Sequence, residues 1–450
     1  MLTDLSWLAP GKTFPPSSEK ARIDEYEKNN RLFMTELPTE WTEAFRSISA
    51  RLGKKLSGID TIFNYQQLIS KKTADFVCGE PPTIETEQDT DRIVRTLDRQ
   101  EFFTKLYELF IDVSRFGNAV IKYRGKSIST VSPMFWFPVV DPSDLKQILQ
   151  HVIAYPAAPD KDGKMTRLYA EIHDRGSFTE QLYSFDGSTI GALLEEKQHS
   201  TGLDDFAVQV LTNVTSSSSI FGLSDYTIIN SLVEKLIWRF SCIDNVLDKH
   251  AEPSMSGPQS AMTYDEKRGI WYLDLGKYFA RADSSSPDLH YVTWDGNLES
   301  SFKEAEMLLN QLYILSEMGQ AFADAGGADS SGTALKLRLV SPRIKAARLA
   351  RLNNSRVKNI ICTLCKLNNI NIDYDSLILQ WNDGLPQDES EQAQIHTQLV
   401  SGGLMSAYSS MKKRGLTDEQ VEAELEQIRR EQSEQKPIDL GVIDYGSDGS

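Results

Sequence analysis

Apolar residues recur at helical spacing in the first part of the chain and later alternate with polar ones. The helical period predicts helices over residues 18–33, 40–52, 65–77 and 101–114. From Gly117-Asn118 onward the period changes to two, and turn dipeptides separate the alternating stretches. Strands are predicted over residues 119–123, 135–140, 150–154, 167–173 and 181–185. The first 220 residues are therefore predicted to be α+β.

Two long amphipathic helices dominate the middle of the chain. The first is predicted over residues 224–250, where Ile229, Leu236 and Ile243 fall on one apolar stripe. The second is predicted over residues 298–323. Residues 253–297 between them alternate like strands and are rich in turn residues. The pattern thus predicts a helix pair that brackets a small β-rich excursion.

A polar, glycine-rich segment, residues 324–332, follows the second helix, and we expect it to be a mobile loop. Gly327 and Gly332 have the spacing of a phosphate-binding loop. Thr333 stands where such a loop needs lysine, and the segment follows a helix rather than a strand. Nucleotide binding is therefore not predicted.

The C-terminal part is predicted to be mostly helical. A basic helix over residues 333–369 is expected to bend near Pro342, because proline removes a backbone donor. A strand over residues 376–381 and helices over residues 390–400, 404–414 and 417–432 follow, and Thr417 with Gln420 forms a capping box at the start of the last helix. Residues 433–450 are acidic and poor in apolar side chains, which predicts a disordered tail.

The amino-acid composition limits the classes of function that this protein can have. Hydrophobic residues make up 40% and charged residues 25%, as in globular proteins, and no apolar run approaches the ~20 residues of a membrane span. The N-terminus lacks the features of a secretory signal. A net charge of −16 argues against a protein that coats nucleic acid. That charge fits either simple solubility or a surface past which DNA slides without sticking.

The sequence carries no recognisable catalytic or metal-binding motif. Cys362 and Cys365 lie within one helical run and are interpreted as buried thiols. The six histidines are scattered without metal-ligand spacing, and a turn accounts for Asp160 and Asp162. We therefore predict no catalytic site, no metal and no cofactor.

The order of several segments resembles that of the portal proteins of long-tailed bacteriophages. The segments are Asn64–Thr83, which ends Cys-Gly-Glu-Pro-Pro-Thr, Arg115-Phe-Gly-Asn-Ala-Val-Ile-Lys122, Phe221-Gly-Leu-Ser-Asp-Tyr226, Trp294-Asp-Gly-Asn-Leu298, Ser331-Gly-Thr-Ala-Leu-Lys336, and Gly403-Leu-Met-Ser406 with residues 422–431. The resemblance covers most of the chain in the same order.

This resemblance implies a multi-domain portal architecture. Its parts would be an α+β wing (1–220), a first stem helix (221–250), a β-rich clip (251–297), a second stem helix (298–323), a tunnel loop (324–332), a wing helix with a returning wing segment (333–400), helical crown elements (401–432) and a disordered acidic tail (433–450). Of the tunnel loop, the residues expected to face DNA are Asp324, Gly326, Gly327, Asp329, Ser330, Ser331 and Gly332.

The resemblance also implies a function without enzymatic activity. It implies a ring of about twelve copies at one capsid vertex, assembled in the host cytoplasm, through which double-stranded DNA is packaged and ejected. The implied partners are the large terminase subunit, head-completion or adaptor proteins, and the major capsid and scaffolding proteins, with no membrane. The alternatives are another capsid-associated structural protein that has no channel, or a DNA-processing packaging enzyme.

The basic helix allows two interpretations within this architecture. Its cations, which include Lys336, Arg338, Arg343 and Lys345, either meet phosphate in the channel or pair with acidic residues of a neighbouring subunit, such as those in residues 299–306. We favour pairing between subunits, because closed rings need complementary faces.

Overall fold

The structure is a computed structural model that describes residues 1–51, 63–87, 89–157, 162–251, 254–258, 262–272, 277–281, 290–291, 298–319, 338–382, 389–414 and 416–434. Helices and strands are mixed over several sheets in these ranges, which confirms the predicted α+β class. The chain divides into two compact units, residues 1–384 and residues 385–450.

Within the described part of residues 1–116 there are five helices. They are α1 (Lys20–Phe33), α2 (Thr39–Arg51), α3 (Tyr65–Cys78), α4 (Thr90–Arg99) and α5 (Phe102–Phe116). Four of them confirm the predicted helices to within two residues at each end. The sequence pattern missed α4, because only Ile93 and Leu97 of this short helix form its buried apolar face. Both are fully buried, and the side chain of Asp89 accepts a hydrogen bond from the backbone of Arg92 at the start of the helix.

The described part of residues 83–212 contains nine strands. They are β1 (Thr83–Glu85), β2 (Asn118–Arg124), β3 (Ser127–Val131), β4 (Trp136–Val140), β5 (Ile148–Pro156), β6 (Arg167–Asp174), β7 (Ser177–Phe185), β8 (Ile190–Ser200) and β9 (Val208–Thr212). All five predicted strands are confirmed. The pattern missed β8, because this edge strand is largely exposed and so lacks an apolar alternation.

Eight of the strands described up to residue 212 form two antiparallel sheets. Strands β4 to β8 form a meander in chain order, and β3, β2 and β9 form a smaller sheet with β2 in the centre. Ile121 of β2 faces the core formed by α3 and α5, whereas the adjacent Val120 packs with Trp136 and Ile153 of the meander. The small sheet is therefore buried on both faces, between helices and the larger sheet.

The middle segment confirms the predicted order of helix, β-rich excursion and helix. Helices α6 (Asp225–Ala251) and α7 (Glu299–Leu315) enclose β10 (Ser254–Pro258), β11 (Thr263–Asp265), β12 (Ile270–Tyr272), β13 (Lys277–Arg281) and β14 (His290–Tyr291). Strand β10 is central, parallel to β13 and antiparallel to β14, while β11 and β12 form a hairpin.

Helix α7 ends eight residues before the predicted end at Ala323. After Leu315 the chain turns through Glu317, whose φ of 60° lies in the left-handed region. The carbonyl oxygens of Ser316 and Glu317 accept hydrogen bonds from Lys345 and Ser341. These long-range partners satisfy the groups that would otherwise continue the helix.

The basic helix α8 (Val340–Leu367) follows a turn at Leu339, and Arg338 before that turn is helical. Pro342 lies in the first turn of α8, where its missing N–H needs no partner, and the turn at Leu339 interrupts the helix close to this residue, where the bend is predicted. Residues 333–337 lie outside the described residues. The strand predicted next is β15 (Ile378–Gln380), which pairs antiparallel with β1.

The second unit contains α9 (Glu389–Ser401), α10 (Ala407–Lys413) and α11 (Asp418–Glu434). The capping box at the start of α11 is confirmed: Gln420 Oε1 accepts from the backbone of Thr417 at 3.0 Å, and Thr417 Oγ1 accepts from that of Gln420 at 3.3 Å. Residues 433 and 434 are helical rather than part of a tail, and residues 435–450 lie outside the described residues.

Candidate functional site

The two long helices of the middle segment pack side by side and run in opposite directions. Asp225 at the start of α6 lies close to the residues that follow α7, whereas Arg239 farther along α6 pairs with Glu304 near the start of α7, with an Nη2–Oε2 distance of 2.7 Å. Lys235 approaches the same carboxylate at 3.6 Å. Glu304 belongs to the acidic stretch for which we predict partners on a neighbouring subunit, and in this structure it has two partners in its own chain.

An apolar core holds this helix pair on the N-terminal helices. Val233 of α6 and Leu312 of α7 are buried together with Ile69 of α3. Phe45 of α2 stacks on Trp238 of α6 with ring centroids 5.3 Å apart. The base of the helix pair is thus part of the same unit as the two sheets.

A buried polar cluster joins the start of α6 to α5 and α8. Oδ2 of Asp225 accepts hydrogen bonds from Lys345 Nζ and from Ser114 Oγ, each at 2.7 Å, and its Oδ1 accepts from Asn213 at 3.0 Å. Lys345 also donates to the carbonyl of Ser316 at 3.2 Å. The side chains of Lys345 and Asp225 are only 3% and 11% exposed. We name these residues the Asp225 cluster; it fixes where α5, α6, α8 and the end of α7 meet.

The basic residues predicted to contact DNA or a neighbouring subunit lie in different environments. Lys345 is buried and paired within its own chain, so this conformation does not present its ammonium to DNA or to a neighbour. Arg338 and Arg343 are partly exposed around the start of α8. The following predicted residues lie outside the described residues: Asp324, Gly326, Gly327, Asp329, Ser330, Ser331, Gly332 and Lys336.

Other cations of α8 also contact groups of the same chain. Arg348 binds both carboxylate oxygens of Glu317, with an Nη1–Oε1 distance of 3.0 Å. Lys366 lies 2.8 Å from Asp204, and Lys358 lies 4.3 Å from the ring centroid of Tyr374. Arg351 is exposed. Much of the positive charge on this helix is therefore balanced within the subunit.

One polar residue of α8 completes the edge of the small sheet. The backbone N–H of Thr212 donates to Asn353 Oδ1 at 2.8 Å, and Asn353 Nδ2 donates to the carbonyl of Thr212 at 2.9 Å. The side-chain amide thus reproduces the pair of hydrogen bonds that another strand would supply to the edge strand β9. Asn353 is completely buried, and it aligns α8 with the sheet.

Two glycines bring the end of α5 into backbone contact with the chain before α6. Gly117 has a φ of 83°, and a Cβ added there would lie 2.1 Å from the carbonyl oxygen of Gly222; a Cβ on Gly222 would lie 2.1 Å from that of Gly117. Asn118 Oδ1 accepts from the Gly222 N–H at 3.0 Å, and the Arg115 carbonyl accepts from Ser224 Oγ at 2.7 Å. Two segments that carry the resemblance, around residues 115–122 and 221–226, therefore meet in space.

We expect Gly222→Ala to lower the free energy of unfolding by about 3 kcal/mol, because the methyl group meets backbone atoms that cannot rotate away. Chemical denaturation checks this. The control is Gly125→Ala in the turn between β2 and β3, where the added methyl meets nothing within 4 Å and only the φ of 60° is unfavourable. That control is expected to cost about 1 kcal/mol. Equal losses in the two variants would contradict the close approach.

A second buried polar cluster ties the two sheets together. Lys122 Nζ of β2 lies 2.8 and 2.7 Å from the two carboxylate oxygens of Glu171 on β6. Tyr169 donates to Glu171 at 2.8 Å, and His173 Nε2 lies 3.1 Å from it. We name these residues the Glu171 cluster. Burial alone would raise the pKa of Glu171, but the hydrogen bonds from His173 and Lys122 outweigh it and lower that pKa to about 2.

The cysteines and histidines do not form a reactive centre in the described part of the chain. Cys365 is fully buried and Cys362 partly so in the main core, as predicted, and burial raises the pKa of each thiol to about 11. Across the described residues, no group of three or more His, Cys, Asp or Glu side chains is placed to hold a metal ion. None of the described helices combines the length and apolar character needed to cross a membrane.

Sequence reasoning missed the residues that position the helices. Asp225, Ser114 and Asn353 are ordinary polar residues in their local sequence, and their partners are more than a hundred residues away. One signal was present for Asp225, since it lies within the Phe221–Tyr226 segment at the start of a long amphipathic helix. An acidic residue there is also favoured by the helix dipole.

Comparisons with known proteins give a family match over nearly the whole chain. The family model described as "Phage portal protein, SPP1 Gp6-like" matches residues 17–437. A chain in the solved structure "Neck of empty GTA particle computed with C6 symmetry" is similar at 11% sequence identity and a TM-score of 0.45, over 78% of this chain and 90% of that chain. No curated protein matches the sequence.

Proposed function

Since this chain belongs to the SPP1 Gp6-like family of phage portal proteins, we propose that it assembles into a ring at one capsid vertex, through which double-stranded DNA enters and leaves. Proteins of this family are structural components of the virion. In this proposal the ring conducts DNA and does not act as an enzyme. The observation that carries this proposal is the family match from residue 17 to residue 437, across both compact units.

The helix pair α6 and α7 is the proposed stem, and the strands between them are the proposed clip. The two helices pack antiparallel, and Arg239 and Lys235 of α6 pair with Glu304 of α7. These contacts support a rigid stem that holds β10 to β14 at the end opposite the Asp225 cluster. In this proposal residues 324–332 form the tunnel loop, residues 1–220 and 333–400 the wing, and residues 401–432 the crown. The clip, whose β11–β12 hairpin is exposed, would contact the packaging motor and later the head-completion proteins.

The net charge fits a conduit better than a protein that grips DNA. A duplex that must slide needs weak contacts, and a net charge of −16 disfavours the phosphate neutralisation that tight binding requires. The basic helix α8 does not reverse this, because Lys345, Arg348 and Lys366 contact acidic groups of the same chain. DNA would therefore pass without strong retention.

Electron microscopy of the purified full-length protein tests the proposal. We expect closed rings, about twelve copies each, with a central opening wide enough for a duplex. Monomers alone, or closed assemblies without an opening, would support a capsid-associated protein of another kind and would overturn the channel. ATP hydrolysis by the purified ring would instead favour a packaging enzyme.

A further inference from the structure

An apolar groove opens where α3, α8 and the residues after β15 meet. Its walls are apolar side chains with two polar ones at the margin: Phe76, Val77, Val340, Arg343, Ile344, Ala346, Ala347, Ala350, Trp381 and Asn382. The cavity volume is about 330 Å³, and Ile344 on its wall is 61% exposed. Val340 and Ala347 beside it are exposed as well, so the groove lies within an exposed apolar patch of the kind that interaction surfaces form.

The outer face of α7 carries an apolar ridge of matching kind. Met307 and Ile314 are seven residues apart, so they lie on one line along the helix, and they are 63% and 64% exposed. Ala305 and Leu312, on the opposite side of α7, are buried against α6. The ridge therefore points away from the core of its own subunit.

The charges around the two surfaces are complementary. Glu306, next to Met307, is exposed, whereas Glu304 on the same helix is paired with Arg239 and Lys235 of its own chain. Helix α8 has no acidic residue from Val340 to Leu367, and its exposed Arg351 lies seven residues from Ile344, on the same line. The α7 ridge, with Glu306 beside its apolar residues, is thus complementary to the α3/α8 groove, with Arg351 beside its apolar wall.

We propose that the α7 ridge of one subunit docks in the α3/α8 groove of the next subunit around the ring. The proposal rests on the proposed function, because a closed ring requires two different, complementary faces on every subunit. Met307 and Ile314 act as anchors spaced as in helix-in-groove recognition, and Ile344 forms the wall against which they pack. In this arrangement Glu306 of one subunit lies toward Arg351 of the next. A second copy of this chain is the occupant because one chain carries both halves.

Disulfide trapping between separate chains tests the docking directly. Subunits with Met307→Cys are mixed with subunits with Ile344→Cys that carry a tag of different mass, and the mixture is assembled and oxidised. We expect the mixed covalent dimer as the main product. The matched control replaces the first partner by Leu194→Cys, whose side chain is 54% exposed on the edge strand β8. This control is expected to give at least about tenfold less mixed dimer, because Leu194 does not lie on the proposed interface and meets Ile344→Cys only by random collision.

Electron microscopy of the same samples separates failure of this inference from failure of the proposed function. Open-channel rings without the mixed dimer overturn the docking and leave the portal proposal standing. Mixed dimers in assemblies without a channel support the docking and overturn the portal proposal. Chains that neither assemble nor cross-link overturn both. Circular dichroism of each cysteine variant confirms that it is folded before mixing.

Discussion

Replacing Lys345 with methionine is expected to lower the free energy of unfolding by about 3–5 kcal/mol, because it leaves the Asp225 carboxylate buried without its cation. The side chains of Asp225 and Lys345 are 11% and 3% exposed, so water cannot substitute for the lost partner. Ser114 and Asn213 still donate to the carboxylate, but two neutral donors do not balance a full charge. The effect should appear as a shift of the urea midpoint.

Tryptophan fluorescence is a suitable measurement for this variant. All seven tryptophans lie in residues 1–384, so the signal reports on the unit that contains the Asp225 cluster. The matched control is Lys366→Met, whose partner Asp204 is 95% exposed; a loss below about 1 kcal/mol is expected. The double variant Asp225→Asn with Lys345→Met should recover part of the stability. Similar losses of unfolding free energy for Lys345→Met and Lys366→Met would show that the buried pair stabilises the fold no more than the exposed pair does.

Acid is expected to weaken the link between the two sheets through Glu171. Its pKa is lowered from an ordinary value of 4.5 to about 2, so the folded state favours the ionised carboxylate. The resulting stabilisation, about 3 kcal/mol, is complete above pH 4.5 and is lost as the pH falls from about 4.5 to 2. Below that range the protonated carboxyl no longer pairs with Lys122.

The slope of stability against pH measures this contribution. In wild type the unfolding free energy should fall steeply between pH 4.5 and about 2, and Glu171→Gln should start lower at neutral pH and fall less over that range. Glu43→Gln, at an exposed position of α2, is the control and should leave the slope unchanged. A Glu171→Gln variant with the wild-type slope would assign the acid sensitivity to other carboxylates.

Elements with a clear apolar period were predictable, and those without one were not. Helix α6 was found within one residue at each end because its apolar stripe extends over the whole helix. The edge strand β8 and the short helix α4 escaped, because the first is largely exposed and the second buries only two residues. The capping box of α11 was also predictable, since both of its hydrogen bonds are local.

The contacts of the candidate site were less predictable than its elements. Composition marked α8 as basic, yet nothing local distinguishes Lys345, which is buried, from Arg351, which is exposed. The difference arises from which face of α8 packs on α3 and β9, because that packing directs Lys345 toward Asp225, and this is a tertiary property. The early end of α7 has the same origin, because the groups that satisfy Ser316 and Glu317 belong to α8.

The contact between Gly117 and Gly222 has a mechanical consequence. Side chains between two packed helices can change rotamer and absorb a small displacement, but two backbones in direct contact leave no such slack. Asn118 and Ser224 add hydrogen bonds on either side of the contact. A displacement of α6 along its axis is therefore passed on to α5 and the small sheet, because the backbones that join them are in direct contact.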